Sequence, residues 1–285
     1  TPRPPRAIPG RWSRGTAAGV VREDGPVEPP DAETELLPAT RAALHRLAAH
    51  VLGRRRSDVT GRFGLRPAPG GLATPAFGDA GEVVRVCGAV LVVERGGRTR
   101  AEPVTTLARA AEVVGVDLAV PFSVGGDTPP VGDPDEPLAL RPGTVEALAA
   151  WWAFGDTLLA ELVAAPPGDP AAAAEARPVG RVLGATVPQL WPEHFDHAAT
   201  LTVAADGEPV AVEVGASPGD VHEAGPYLYV GPHGPDRPGD PGYWNAPFGA
   251  VLRRSDVLAA PTGERRARAL GFLRRGLALA SGAAA

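Results

Sequence analysis

Residues 199–214, ATLTVAADGEPVAVEV, carry the pattern on which the reading of the fold turns. Two β-rich runs, Ala199–Ala205 and Glu208–Val214, flank Asp206-Gly207, a dipeptide favoured in two-residue type I′ turns. Leu201 and Val203 fall on one face of the first run, and Val210, Val212 and Val214 on one face of the second. Such alternation predicts an antiparallel hairpin with one buried face. Downstream, Pro226–Val230 and Phe248–Leu252 read as further strands. A terminal helix from Thr262 to Ala280 turns Leu270, Leu273 and Leu277 inward, with most of its arginines outward.

Upstream, a first helix is expected from Pro38 to Gly53, with Leu44, Leu47 and Val51 as its apolar stripe. Arg54, Arg55 and Arg56 would follow its C-terminus, where positive charge complements the helix dipole. Val83–Cys87, Ala89–Glu94 and Arg98–Glu102 read as a three-stranded meander, with Cys87 expected as a buried, inert thiol. A short helix from Pro103 to Val114 closes at Gly115, and residues 121–137, with Asp127, read as a solvated acidic loop. A long helix runs from Pro142 to Ala165 on the spacing of Val145, Leu148, Trp152, Leu159 and Leu162, until Pro166-Pro167 stops it.

Strands followed by a helix thus occur twice, which predicts an α+β fold of two similar antiparallel β-meander-plus-helix halves joined by the long helix. Residues 1–32, with seven prolines and no apolar periodicity, are expected to form a disordered tail. Residues 33–165 make the N-terminal half, 166–186 a linker and 187–285 the C-terminal half, the two halves packing as one unit.

Composition narrows the function classes. The 285 residues carry a net charge of −5 and a pI near 5.7, which argues against general nucleic-acid binding. All 28 basic residues are arginine, and isoleucine, asparagine and glutamine occur once each. That bias follows GC-rich codons, so arginine richness is poor evidence for phosphate recognition. One cysteine excludes an intramolecular disulfide framework and a Cys-rich zinc site. No apolar run approaches the roughly 18–20 residues of a membrane span. The expectation is a soluble, cytoplasmic protein with no membrane or nucleic-acid partner and no cofactor.

Two motifs bear on chemistry. Gly215-Ala216-Ser217-Pro218-Gly219 matches the G-x-S-x-G of a hydrolase nucleophile elbow. The elbow needs a following helix and the N–H of the next residue for its oxyanion hole; Pro218 supplies neither, so a turn is expected. Glu193, His194, Asp196 and His197 place two carboxylates and two imidazoles within five positions, and His222 follows. His194, Asp196 and His222 could form an open metal site, although their spacing matches no strong metal motif. Residues 191–248 also hold seven of the fifteen aromatics and four of the six histidines. Aromatic walls with a few polar groups suit a small-molecule pocket, and an ordinary aromatic core gives the same sequence signal; His194, Asp196, Tyr227, Tyr229 and Trp244 are the candidate lining of such a pocket.

The segment Leu190–Asp196, with Gly215–Asp220, Pro226–Tyr229, Trp244 and Gly249–Leu252 after it, resembles a bacterial family classed as a domain of unknown function. Members of that family carry LWP-x-HFD, G-x-S-P-G-D and P-Y-x-Y motifs in this order, and Leu65–Gly78 is similar to a stretch of its front half. His194 and Asp196 match, whereas His197 replaces what is more often an aliphatic or aromatic residue. The resemblance implies a shared architecture and no particular activity. The expectations for function are a small-molecule-binding protein, a metal-dependent hydrolase-like enzyme, or a protein interaction module.

Overall fold

The computed structural model describes residues 13–14, 38–163, 182–205 and 207–282. Asp206 of the hairpin turn, nearly all of the expected tail and most of the expected linker lie outside them. Two antiparallel sheets and a 22-residue helix between them form an α+β fold.

The N-terminal sheet is a meander of β2 (Arg66–Ala68), β3 (Gly71–Ala73), β4 (Val83–Cys87), β5 (Val90–Arg95) and β6 (Arg98–Pro103). β1 (Ser13–Arg14), from within the expected tail, pairs with the outer edge of β6. The β2–β3 hairpin escapes sequence reading because each strand is only three residues long and the first contains Pro67. β6 runs through Pro103, so α3 (Leu107–Val114) begins later than expected, where Thr106 caps it by accepting the Arg109 N–H at 3.1 Å. Cys87 lies at the exposed end of β4, not in the core.

The first helix does not stop at Gly53. α1 (Pro38–Leu47) passes through a π-helical turn, Ala48–Gly53, into α2 (Arg54–Thr60), and Gly61 ends it at φ +70°. Gly53 is helical; a Cβ there would lie 3.2 Å from Pro192 Cγ and 3.3 Å from the Phe63 carbonyl, so close packing explains the glycine. The three arginines therefore lie inside the helix and are engaged locally. Arg54 bonds Asp58 and the Val120 carbonyl, Arg55 forks onto Glu82, and Arg56 donates to the Gly64 carbonyl.

The C-terminal sheet runs β12 (Ala250–Arg253), β11 (Tyr227–Pro232), β10 (Val210–Ser217), β9 (Asp196–Val203) and β7 (Val182–Ala185). β8 (Gln189–Trp191) pairs with the near end of β9, on the same side as β7. Val203 opposes Val210, and the alternation holds: Leu201, Val203, Val212 and Val214 pack together against helices. Those helices are α4 (Pro142–Val163) and α6 (Arg265–Ala280); a short α5 (Arg254–Leu258) leads from β12 towards α6.

α4 belongs to both halves. Its apolar residues do not form one stripe: Val145, Leu148 and Trp152 enter the N-terminal core, and Trp151, Phe154, Leu158, Leu159 and Leu162 the C-terminal one. A second tie comes from β8, where Leu65 and Leu190 exchange backbone hydrogen bonds of 2.7 and 2.8 Å. Leu190 and Phe195, though C-terminal in sequence, are buried in the N-terminal core. None of the described helices is long and apolar enough to cross a membrane.

Candidate functional site

One face of the C-terminal sheet is covered by α4 and α6; on the other lies a cavity of about 900 Å³. Period-two alternation decides which residues meet it. On β9, His197, Ala199 and Leu201 turn to the helices while Asp196 and Ala198 turn to the cavity side. On β10, Val212 and Val214 go inward, and Glu213 and Ser217 line the cavity. On β11, Leu228 and Val230 go inward, leaving Tyr227 and Tyr229 beside Phe248 as an aromatic floor.

The central contact spans three strands. Tyr229 on β11 is paired with Gly215 on β10, and Gly215 with Ala198 on β9. A Cβ on Gly215 would lie 2.7 Å from the Tyr229 ring and 2.8 Å from Ala198 Cβ. The glycine thus lets the ring cross β10, and the Tyr229 hydroxyl donates to Asp196 Oδ2. Asp196 Oδ1 is buried with no hydrogen-bond partner among the described residues. Burial raises the Asp196 carboxyl to about 6, although the Tyr229 hydrogen bond favours its charged form. Burial also pushes the Tyr229 phenol well above its usual range, so it stays a donor.

Glu193, in the β8–β9 turn, is a second buried carboxyl; its Oε2 has no partner among the described residues, and burial raises its pKa. The turn is shaped by Phe195, whose φ of +61° is the only positive value at a non-glycine position among the described residues. α1 closes one side of the cavity with Arg41 and His45, four residues apart and therefore on one helix face. His45 Nε2–H donates to the carbonyls of Pro192 at 2.9 Å and Glu193 at 3.1 Å. Burial lowers the His45 imidazole to about 4, so it is neutral at physiological pH.

His194, Asp196, Tyr227 and Tyr229 therefore line one concavity, with His194 half-exposed at its rim. The carboxylate beside His194 is Asp127, at 2.9 Å from Nδ1, brought by the loop read from sequence as merely solvated. Trp244 lies elsewhere: it packs on Tyr243, at 4.9 Å between ring centroids, and donates to the Pro238 carbonyl at 2.8 Å. The loop carrying it wraps towards Leu279 on α6, which takes its ring away from the cavity.

His194, Asp196 and His222 do not come together as a metal site. His194 engages Asp127, Asp196 engages Tyr229, and His222 rests edge-on against Phe248 at 5.4 Å. Among the described residues no three His, Cys, Asp or Glu side chains are grouped to hold a metal ion. Nor is Ser217 set up as a nucleophile. It ends β10, its carbonyl accepts from Trp151 Nε1 at 2.9 Å, its Oγ accepts the Gly219 N–H at 3.1 Å, and no helix follows.

Sequence reading missed Arg41, His45 and Glu213 as lining residues; it singled out Glu193 and the aromatic cluster ending at Phe248 but left both off the candidate lining. Glu213 had a signal, since it alternates out of phase with Val212 and Val214. No family model, curated protein or solved structure matches the chain.

Proposed function

We propose that this is a small-molecule-binding protein whose ligand occupies the cavity over β9, β10 and β11. The carrying observation is a concave space of about 900 Å³ that combines an aromatic floor with a buried carboxyl, one oxygen of which has no hydrogen-bond partner among the described residues. Its size is that of drug-sized ligand sites, roughly 300–1,000 Å³. A mostly apolar floor supplies affinity through burial, and a few fixed polar groups supply orientation.

The test is a thermal-shift screen of a mixed library of cationic, neutral and anionic small molecules, repeated on Ala42→Trp. Ala42 lines the cavity from the exposed side of α1, so an indole there blocks the space without entering the core. Hits that stabilise the native chain and lose their effect in Ala42→Trp support the reading. A library without hits, or hits indifferent to Ala42→Trp, refutes it.

A further inference from the structure

We infer that the cavity takes an organic cation, an ammonium or guanidinium group on an apolar or aromatic body, with Asp196, Glu193 and Glu213 as its counter-charges. The inference rests on the small-molecule reading and specifies its ligand class.

The first support is the balance of charge. Among the described residues five carboxyl groups line the cavity, Asp127, Glu193, Asp196, Glu213 and Asp220, against two guanidinium groups, Arg41 and Arg237. Both arginines are turned to backbone carbonyls of the surrounding loops. Arg41 donates to Ala224 at 2.7 Å and Pro218 at 3.4 Å; Arg237 donates to Gly234, Asp236 and Phe248 at 2.8–2.9 Å. His45 is neutral. Two of the carboxylates are also engaged: Asp127 with His194, and Asp220 with the Tyr227 hydroxyl at 2.6 Å and the N–H groups of its own turn. Glu193, Asp196 and Glu213 form no ion pair among the described residues.

The second support is independent of the count. Glu193 and Asp196 are each only 6% exposed, and each keeps one buried oxygen without a hydrogen-bond partner among the described residues. A buried acceptor left unmatched is costly, and a donor that brings positive charge relieves both the missing bond and the desolvated charge. The third support is the floor. Tyr227, Tyr229 and Phe248, which all line the cavity, lie within 6.1–6.4 Å of one another, ring centroid to centroid, and aromatic rings attract a cation. Carboxylates beside an aromatic wall suit an amine better than a neutral polyol, and they repel an anion.

Calorimetric titration with three matched compounds tests this: 2-phenylethylamine, 2-phenylethanol and phenylacetate, at about pH 8, above the value of about 6 to which burial raises Asp196. The amine is expected to bind about tenfold or more tightly than the alcohol, and phenylacetate more weakly still. Asp196→Asn and Glu213→Gln should each reduce amine binding by about tenfold while leaving the alcohol unaffected. Glu213 is only half-buried, so its variant keeps the test open if Asp196→Asn folds poorly. At about pH 6 amine binding should also release protons, seen as a dependence of the heat on the buffer's ionisation enthalpy. Preference for the alcohol or the acid overturns the cation inference alone. So does an amine that fails to bind while the library's Ala42-sensitive hits are neutral or anionic. If cationic hits bind in its place and lose affinity in the two variants, the inference stands. Absence of any binding in the cavity overturns this inference and the small-molecule reading together.

Discussion

Phe195 stacks face to face on His45, with ring centroids 4.7 Å apart and planes 9° from parallel, although the two residues belong to opposite halves of the chain. The same ring forms a T-shaped pair with Trp152, at 5.0 Å between ring centroids. One aromatic ring thus locks α1, α4 and the start of β9 together at the wall of the cavity.

Phe195 does this from a left-handed backbone conformation, φ +61°, which costs an L-residue about 1–2 kcal/mol. Removing the ring is expected to cost about 3–5 kcal/mol. Glycine relieves the backbone and alanine does not, so Phe195→Gly should be more stable than Phe195→Ala by about 0.5–1 kcal/mol. Urea denaturation of both variants checks this. The opposite order would show that the backbone there is unstrained.

Asp196 carries a pH signature whose sign follows from its shift. The carboxyl titrates at about 6 in the folded chain, against an ordinary 3.8. Between those values the folded state holds a proton that the unfolded state has lost, so this group's contribution to stability falls as pH rises and levels off above about 6. His45, lowered from 6.5 to about 4, acts oppositely over nearly the same window. The two largely cancel in the native protein. Tyr229, Glu213 and His194 also act on Asp196, so the variant is compared with the native chain at each pH. Asp196→Asn should therefore gain stability relative to the native chain as pH rises from about 4 to 6, and hold that gain above. Parallel melting curves across this range decide it; a difference independent of pH contradicts the shifted carboxyl.

Gly155 lies where α4 packs tightly on the C-terminal sheet. A Cβ at this position would sit 2.5 Å from Ala216 Cβ on β10. Gly155→Ala should destabilise the chain by about 1–3 kcal/mol despite alanine's better helix propensity. Adding Ala216→Gly removes the clashing atom and should recover part of that loss, a coupling expected only of touching residues. Additive behaviour in the double variant would place the two elements further apart.

Cys87 is exposed, so the folded protein should react with one equivalent of a thiol reagent such as DTNB without denaturant. A thiol that reacts only after unfolding would restore the buried position expected from its apolar neighbours. The misreading has a simple cause. Alternation along β4 puts Val84 and Val86 inward, and Cys87 therefore falls on the opposite face, which the run of apolar letters conceals.

Other expectations failed for related reasons. Gly53 looked like a helix stop because glycine often ends helices, but here it admits Pro192 and Phe63, partners far apart from it or hidden from local pattern. The long helix was legible as a helix, yet its two adjacent tryptophans, Trp151 and Trp152, enter different cores, and periodicity along one strip cannot reveal that two bodies flank it.

The amino-acid sequence by itself determined the antiparallel hairpin, the α+β class and the faces of β9, β10 and β11. A side-chain period of two with one buried face leaves a single register, and Asp196, Tyr227 and Tyr229 follow from it. Only the tertiary structure decided what those residues meet. Tyr229 reaches Asp196 because Gly215 between them lacks a side chain, His194 finds Asp127 from a distant loop, and α1 brings Arg41 and His45 over the sheet. Trp244, similar in type and near in sequence, is carried away by the loop that folds towards α6. Local periodicity specifies which way a side chain points. The neighbour it meets depends on how the elements pack, and that packing arises from contacts between segments of chain that no local pattern connects.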